Sequence, residues 1–139
     1  MLLSSQFFIT NSDYLGCDAP SLLLEALNDL LEGKTEESWL CWQDEPDAYI
    51  INLEKQNEQL KVTVYNTDKE SYDLDHNGAN LEKYITTTAF KTKGEIRAVA
   101  KSLLEEFELY ENGNGRSRYE YHWGNFPEEQ YQHLRQILK

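Results

Sequence analysis

Few residues in this sequence have side chains suited to chemistry. Cys17 and Cys41 could act as nucleophiles, and His76, His122 and His133 could act as general acids or bases. No short motif joins a histidine to a cysteine or serine, and no zinc-protease, redox or hydrolase signature occurs. We therefore expect no enzymatic activity and no catalytic residues. The alternative is a small enzyme whose histidine and carboxylate groups meet only in the fold.

A second candidate is a calcium loop in the stretch DLDHNGANLEKY, which begins at Asp73. Asp73, Asp75 and Asn77 occupy the first three ligand positions of an EF-hand loop, and Gly78 follows at its sharp turn. The last position is Tyr84, which cannot supply the bidentate carboxylate of such a site. Because strand-like residues flank the stretch, we expect a turn with no metal and no cofactor. Whether the two aspartates and the asparagine bind calcium stays open at this level.

The third candidate is a run of carboxylates that could bind a partner. We call residues 36–58 the acidic segment: it holds seven acids and a single base, Lys55, and it includes two tryptophans. Aromatic rings can anchor an interface while surrounding carboxylates attract a basic protein. The predicted partner-binding residues are Glu36, Glu37, Trp39, Trp42, Asp44, Glu45, Asp47, Glu54 and Glu58. Alternation along a strand predicts that one of the two tryptophans faces away from the main core.

Several elements must position these residues, and the first half of the chain predicts one helix and three strands. A strand or extended segment is expected at 6–10. A leucine-rich helix follows, capped by Asp18, opened by Pro20 and ended by Gly33. Runs of β-branched and aromatic residues then predict strands over 39–42, 48–53 and 60–65, joined by turns short enough for hairpins.

The second half predicts a fourth strand and two helices. The strand is expected over 84–90, and Thr92 to Glu95 form a capping box that opens the second helix. The apolar face of this helix is Ile96, Val99, Ala100, Leu103, Phe107 and Tyr110. The run Asn112 to Gly115 is expected to end it, residues 119–123 to form an aromatic strand, and Phe126-Pro127 to open the last helix. The fold class is α+β: one domain over 1–139, with an antiparallel sheet meander and helices packed on one face. We expect the other face to be solvated or free to bind.

The charge of the chain narrows the choice of partner. The net charge is −12, and residues 1–91 carry −11 of it, with 17 acids and 6 bases. Such a field repels nucleic acids and anionic membranes, so we expect neither as a direct partner and instead expect a basic protein. No stretch approaches a membrane span or a secretory signal, and two cysteines favour reduced thiols in the cytoplasm. A monomer and a homodimer are both compatible with these features.

The last third of the chain resembles a known class of proteins. The pattern runs from Phe90-Lys91-Thr92 through the long helix to Tyr119, Trp123-Gly124 and Phe126-Pro127. It is similar to patterns in small bacterial immunity proteins of polymorphic-toxin and contact-dependent inhibition systems. The resemblance implies a stand-alone cytoplasmic α+β protein that binds one cognate toxin, often a basic nuclease, and occludes its active site. It implies no particular functional residues, because those of immunity proteins vary. Our hypothesis is therefore an acidic inhibitor of a basic toxin, and a general interaction adaptor is a further alternative.

Overall fold

The computed structural model of the chain describes residues 19–44, 47–69 and 80–139. Several predicted features lie outside these ranges: the strand at 6–10, the Asp18 cap, Cys17, His76, Glu45 and the start of the calcium-like stretch from Asp73 to Gly78.

The first described element is helix α1, Ala19–Leu31, whose existence and end follow the prediction. Pro20 lies in its first turn, and Leu23, Leu24, Leu27 and Leu30 are all buried. Gly33 ends the helix with φ of +75°, a conformation that favours glycine. The amide of Lys34 donates to Asp29 O at 2.9 Å and that of Gly33 to Leu30 O at 3.3 Å, which is the Schellman pattern.

The next elements form a four-stranded antiparallel sheet in the order β1-β2-β3-β4. Strands β1 (Glu37–Asp44), β2 (Asp47–Gln56) and β3 (Gln59–Thr67) contain the three predicted strands. The β2–β3 turn uses Asn57 at φ +58°, a conformation that asparagine tolerates in tight hairpins. The predicted α+β fold with a sheet meander is confirmed.

Strand β4 differs from the prediction at its end. It covers Ile85–Glu95 and follows a short 3-10 helix at Leu81–Tyr84. Thr92 pairs with Val62 inside the ladder, so the predicted capping box is wrong. Glu95 is itself the N-cap of helix α2, Ile96–Glu108, and its carboxylate accepts from the amides of Arg97 and Ala98 at 3.1 and 2.9 Å. The strand continues because pairing with β3 satisfies its backbone groups as far as Glu95.

The predicted face of α2 is confirmed: Ile96, Val99, Ala100, Leu103 and Phe107 are buried, and Tyr110 is buried just beyond its end. Helix α2 ends at Glu108, four residues before the predicted stop at Asn112. The predicted strand over 119–123 is wrong, because residues Gly113–Trp123 form helix α3. Tyr119 and Trp123, one turn apart, are buried, whereas Tyr121 between them is 83% exposed. In a strand all three would share one face. A Cβ on Gly115 would lie 2.1 Å from Leu109 O, so the glycine permits the close α2–α3 corner.

Helix α4, Glu128–Ile137, opens where the sequence predicts. Its Tyr131 and Leu134 are fully buried, and the Tyr131 ring packs against Phe107 and Phe126. Together with the four helices, one sheet face forms the main core, in which the rings of Trp42 and Trp123 meet edge to face at 5.3 Å between centroids.

The opposite face of the sheet is less open than predicted. Cys41, Ala48 and Ile50 are buried there with Leu81 of the 3-10 helix, and Trp39, Tyr65, Tyr84 and Ile85 pack around them. Asn52 and Thr63 are also buried on this face. The expectation of a solvated face therefore fails at its centre, because the 3-10 helix and large aromatic side chains cover a second apolar cluster.

Candidate functional site

The structure divides the acidic segment between the two ends of the β1–β2 hairpin. Glu37 pairs with Glu54 at one end of the ladder, and Asp44 pairs with Asp47 at the other. Asp44 lies seven residue steps beyond Glu37, which corresponds to about 23 Å along a strand. This distance is more than twice the screening length of about 8–10 Å in physiological salt. Acids at the two ends of the hairpin thus do not form a single patch, and the described side chains place the candidate site at the Glu37 end.

The feature of this end is a pair of like charges facing each other. Glu37 and Glu54 are direct cross-strand partners on the face opposite the main core. The buried amide of Asn52 donates to Glu37 Oε2 at 3.2 Å and to Ser38 O at 3.5 Å. Directly opposed carboxylates destabilise a sheet. Asn52 nevertheless holds the exposed Glu37 in this position, beside Glu36 at the start of the strand.

Three bases lie near this end. Lys61, the cross-strand partner of Glu54 on β3, faces it from the side opposite Glu37. Lys55, the base of the acidic segment, extends its Nζ to Leu30 O at 3.1 Å, so it caps the end of α1. Lys34 Nζ contacts Glu32 Oε1 at 3.4 Å. Within the described residues, Glu36, Glu37 and Glu54 make no salt bridge. We call Glu36, Glu37 and Glu54 the acidic end.

The two tryptophans occupy different environments, as strand alternation predicts. Trp42 is fully buried in the main core, so its predicted contact with a partner does not fit its position. Trp39 is half-buried on the other face and stacks on Tyr65, with 6.0 Å between ring centroids. Its ring lies on the same face as Glu37, two residues away along β1. Trp39 is therefore the tryptophan that remains available as an anchor.

A groove adjoins the acidic end and brings in acids that the sequence analysis missed. It has a volume of about 270 Å³, lies between α1 and the edge strand β1, and is lined by Leu22, Glu25, Ala26, Asp29, Ser38, Trp39 and Leu40. We call it the edge groove. Glu25 and Asp29 are four residues apart on α1, on the side away from the buried leucines. That spacing was the signal in the sequence, but only the packing of α1 beside β1 places these acids next to Trp39.

Glu58 is exposed in the β2–β3 turn, at the same end of the sheet as Glu54. Its carbonyl accepts the amide of Ile96 at 2.8 Å, and the adjacent Gln59 pairs with Glu95. Glu58 is thus next to the start of α2. Of the nine predicted residues, the described side chains place Glu36, Glu37, Trp39 and Glu54 near this surface.

The residues considered for catalysis do not converge in the described part of the chain. Cys41 is buried in the smaller apolar cluster, on the sheet face opposite the main core. His133 lies on α4, whose Tyr131 and Leu134 belong to the main core. His133 Nε2 lies 3.1 Å from Glu32 Oε2, and this hydrogen bond lowers the pKa of the Glu32 carboxyl below its usual value. The ring of His122 meets Tyr121 edge to face at 5.0 Å between centroids. Among residues 19–44, 47–69 and 80–139, no three metal-ligating side chains cluster.

Comparison with known proteins identifies no relative. Neither a family model, nor a curated protein, nor a solved structure matches the chain. No helix in the described ranges is long and apolar enough to cross a bilayer.

Proposed function

We propose that the protein is a non-enzymatic inhibitor of the immunity-protein type, which acts in the cytoplasm by binding a basic toxin domain. The observation that carries the proposal is the Glu37–Glu54 pair, which shares its sheet face with Trp39, a residue that also lines the edge groove. The sheet keeps these two carboxylates face to face at a cost in stability, although Lys61 opposes Glu54 from β3. A cationic partner would remove that cost on binding.

Binding combines three contributions from this surface. Glu25, Glu36 and Glu37 are exposed and attract basic side chains at long range, which speeds association. The half-buried Trp39 ring supplies an aromatic anchor, the kind of residue that contributes most to interface affinity. The edge groove receives a side chain or short segment of the partner. If the partner is a nuclease, the carboxylates occupy the positions of substrate phosphates, and inhibition follows from occlusion.

The first test compares two charge-reversed variants with the unmodified protein. The site variant is Glu25→Lys, Glu36→Lys and Glu37→Lys. The control variant carries the same charge change at Glu82, Glu105 and Glu120, which are also exposed but lie on other elements. Each tagged protein captures partners from host lysate at low and high salt, and the retained protein is identified by mass spectrometry.

The proposal predicts one basic protein retained at high salt by the unmodified chain and by the control variant. The site variant should associate with it roughly tenfold more slowly at low salt, with a weaker salt dependence. The purified partner should lose its own activity when the unmodified protein is added. Equal association by both variants would remove the acidic end from the interface. Recovery of salt-labile basic proteins alone would reject a specific inhibitor.

A further inference from the structure

A second groove, on the helical side of the molecule, has the opposite charge. It lies between α2 and α4, has a volume of about 310 Å³, and is lined by Arg97, Lys101, Leu104, Arg135, Leu138 and Lys139. We call it the basic groove. Four of the 13 bases of a chain with net charge −12 line this groove, and no acid does. This concentration of bases contrasts with the whole chain, in which acids outnumber bases almost two to one.

The two helices that form the groove run antiparallel. Arg97 Nη2, at the start of α2, donates to Ile137 O, at the end of α4, over 3.4 Å. At the other end, the rings of Phe107 and Tyr131 lie 6.5 Å apart between centroids. The walls are therefore fixed at both ends by contacts of the fold itself. A partner would find the groove already formed.

The cations are arranged in two rows with an apolar floor between them. Arg97 and Lys101 are four residues apart on α2, whereas Arg135 lies in the last turn of α4 and Lys139 lies two residues beyond its end. Four residues correspond to about one helical turn, or roughly 6 Å. Leu104 and Leu138 are half-buried and form the floor.

Most of these cations lack a carboxylate partner. Arg135 lies 3.8 Å from a Glu111 oxygen, with its guanidinium 5.7 Å from the centre of the Tyr131 ring. Arg97, Lys101 and Lys139 form no salt bridge with any residue of the described ranges. The groove therefore offers at least three exposed positive charges around a small apolar surface.

We propose that the basic groove is a second docking site, which takes an acidic amphipathic helix of a partner protein. Apolar side chains of that helix rest on Leu104 and Leu138, and carboxylates one turn apart on its flanks reach the two rows of cations. The spacing of Arg97 and Lys101 on α2 matches one turn of such a helix. The floor is shallow, so the fit is to a segment that lies across the surface. This inference does not depend on the inhibitor proposal, which concerns the edge groove.

The test uses synthetic helical peptides as probes and measures fluorescence anisotropy. The acidic probe has about 14 residues, a leucine stripe and glutamates on both flanks, and a matched basic probe has lysine at every glutamate position. The groove variant is Lys101→Glu with Lys139→Glu. The control is Lys91→Glu with Lys93→Glu, the same charge change at exposed positions on β4. Thermal unfolding of each variant checks that the fold is intact.

We expect the acidic probe to bind, and the groove variant to lose roughly tenfold in affinity for it. The control variant should bind within about twofold of the unmodified protein. The basic probe, which the acidic end attracts, should lose no affinity in the groove variant. No measurable binding of the acidic probe, or equal loss of its binding in both variants, would overturn the proposal. Full competition by free glutamate would show a simple anion site instead. Concentration-dependent dimerisation that the groove variant abolishes would assign the groove to a second copy of the chain.

Discussion

Replacing Glu37 with glutamine should stabilise the protein while weakening its binding surface. The bond from the Lys55 amide to Glu36 O makes that neighbouring pair hydrogen-bonded, so Glu37 and Glu54 form a non-hydrogen-bonded pair, whose side chains lie closer together. For carboxylates about 6 Å apart in a watery environment, Coulomb's law gives a repulsion of about 0.7 kcal/mol. Glutamine at position 37 removes the negative charge but keeps a side-chain oxygen that can accept the hydrogen bond from the Asn52 amide. We expect the free energy of unfolding to rise by about 0.5 kcal/mol.

Urea denaturation followed by circular dichroism measures this change, because urea adds no ionic strength. The unmodified protein, Glu37→Gln and the control Glu120→Gln are compared in dilute buffer and in 1 M NaCl. The control accounts for the general benefit of removing one negative charge from a chain of net charge −12. The extra gain of Glu37→Gln should vanish in 1 M NaCl, where the screening length falls to about 3 Å.

Two results would refute this reasoning. If Glu37→Gln and Glu120→Gln change stability equally in dilute buffer, the opposed carboxylates do not repel each other measurably. If the extra gain persists in 1 M NaCl, its origin is packing and not charge. Either result would remove the stability cost that supports the proposed function.

Two further predictions concern the core. Trp42→Ala should lower the free energy of unfolding by about 3–5 kcal/mol, whereas Trp39→Ala should cost clearly less, because only Trp42 is fully buried; urea denaturation compares the two. Burial, reinforced by the charges of Glu111 and Glu108, raises the pKa of Tyr131 to about 12. An unfolded tyrosine ionises near pH 10, so the unfolded chain releases a proton that the folded chain keeps, and stability should fall between about pH 10 and 12. In Tyr131→Phe this part of the decline should disappear, and an unchanged pH profile would contradict the assignment.

Prediction from the sequence was wrong at residues 119–123, where the same pattern of aromatic residues fits both a strand and a helix. Tyr119, Tyr121 and Trp123 alternate as a strand does, yet Tyr119 and Trp123 are also one helical turn apart. The helix is favoured because it packs Tyr119 against Phe126 and Trp123 against Trp42. Gly115 allows the close corner between α2 and α3. Likewise, the ladder with β3 carried β4 past the expected cap at Thr92, a long-range effect that no local motif contains.

By itself the sequence determined the α+β class, the α1 leucine face, the Gly33 helix stop, three strands of the meander and the apolar face of α2. These follow from periodicity, turn chemistry and capping, which act over a few residues. The tertiary structure alone decided which acids face one another, which tryptophan is buried, and that Glu25 and Asp29 join the edge groove. It also assembled the basic groove from residues nearly forty positions apart in the chain. Surface charge patterns depend on which elements become neighbours, and that is settled by packing across the core.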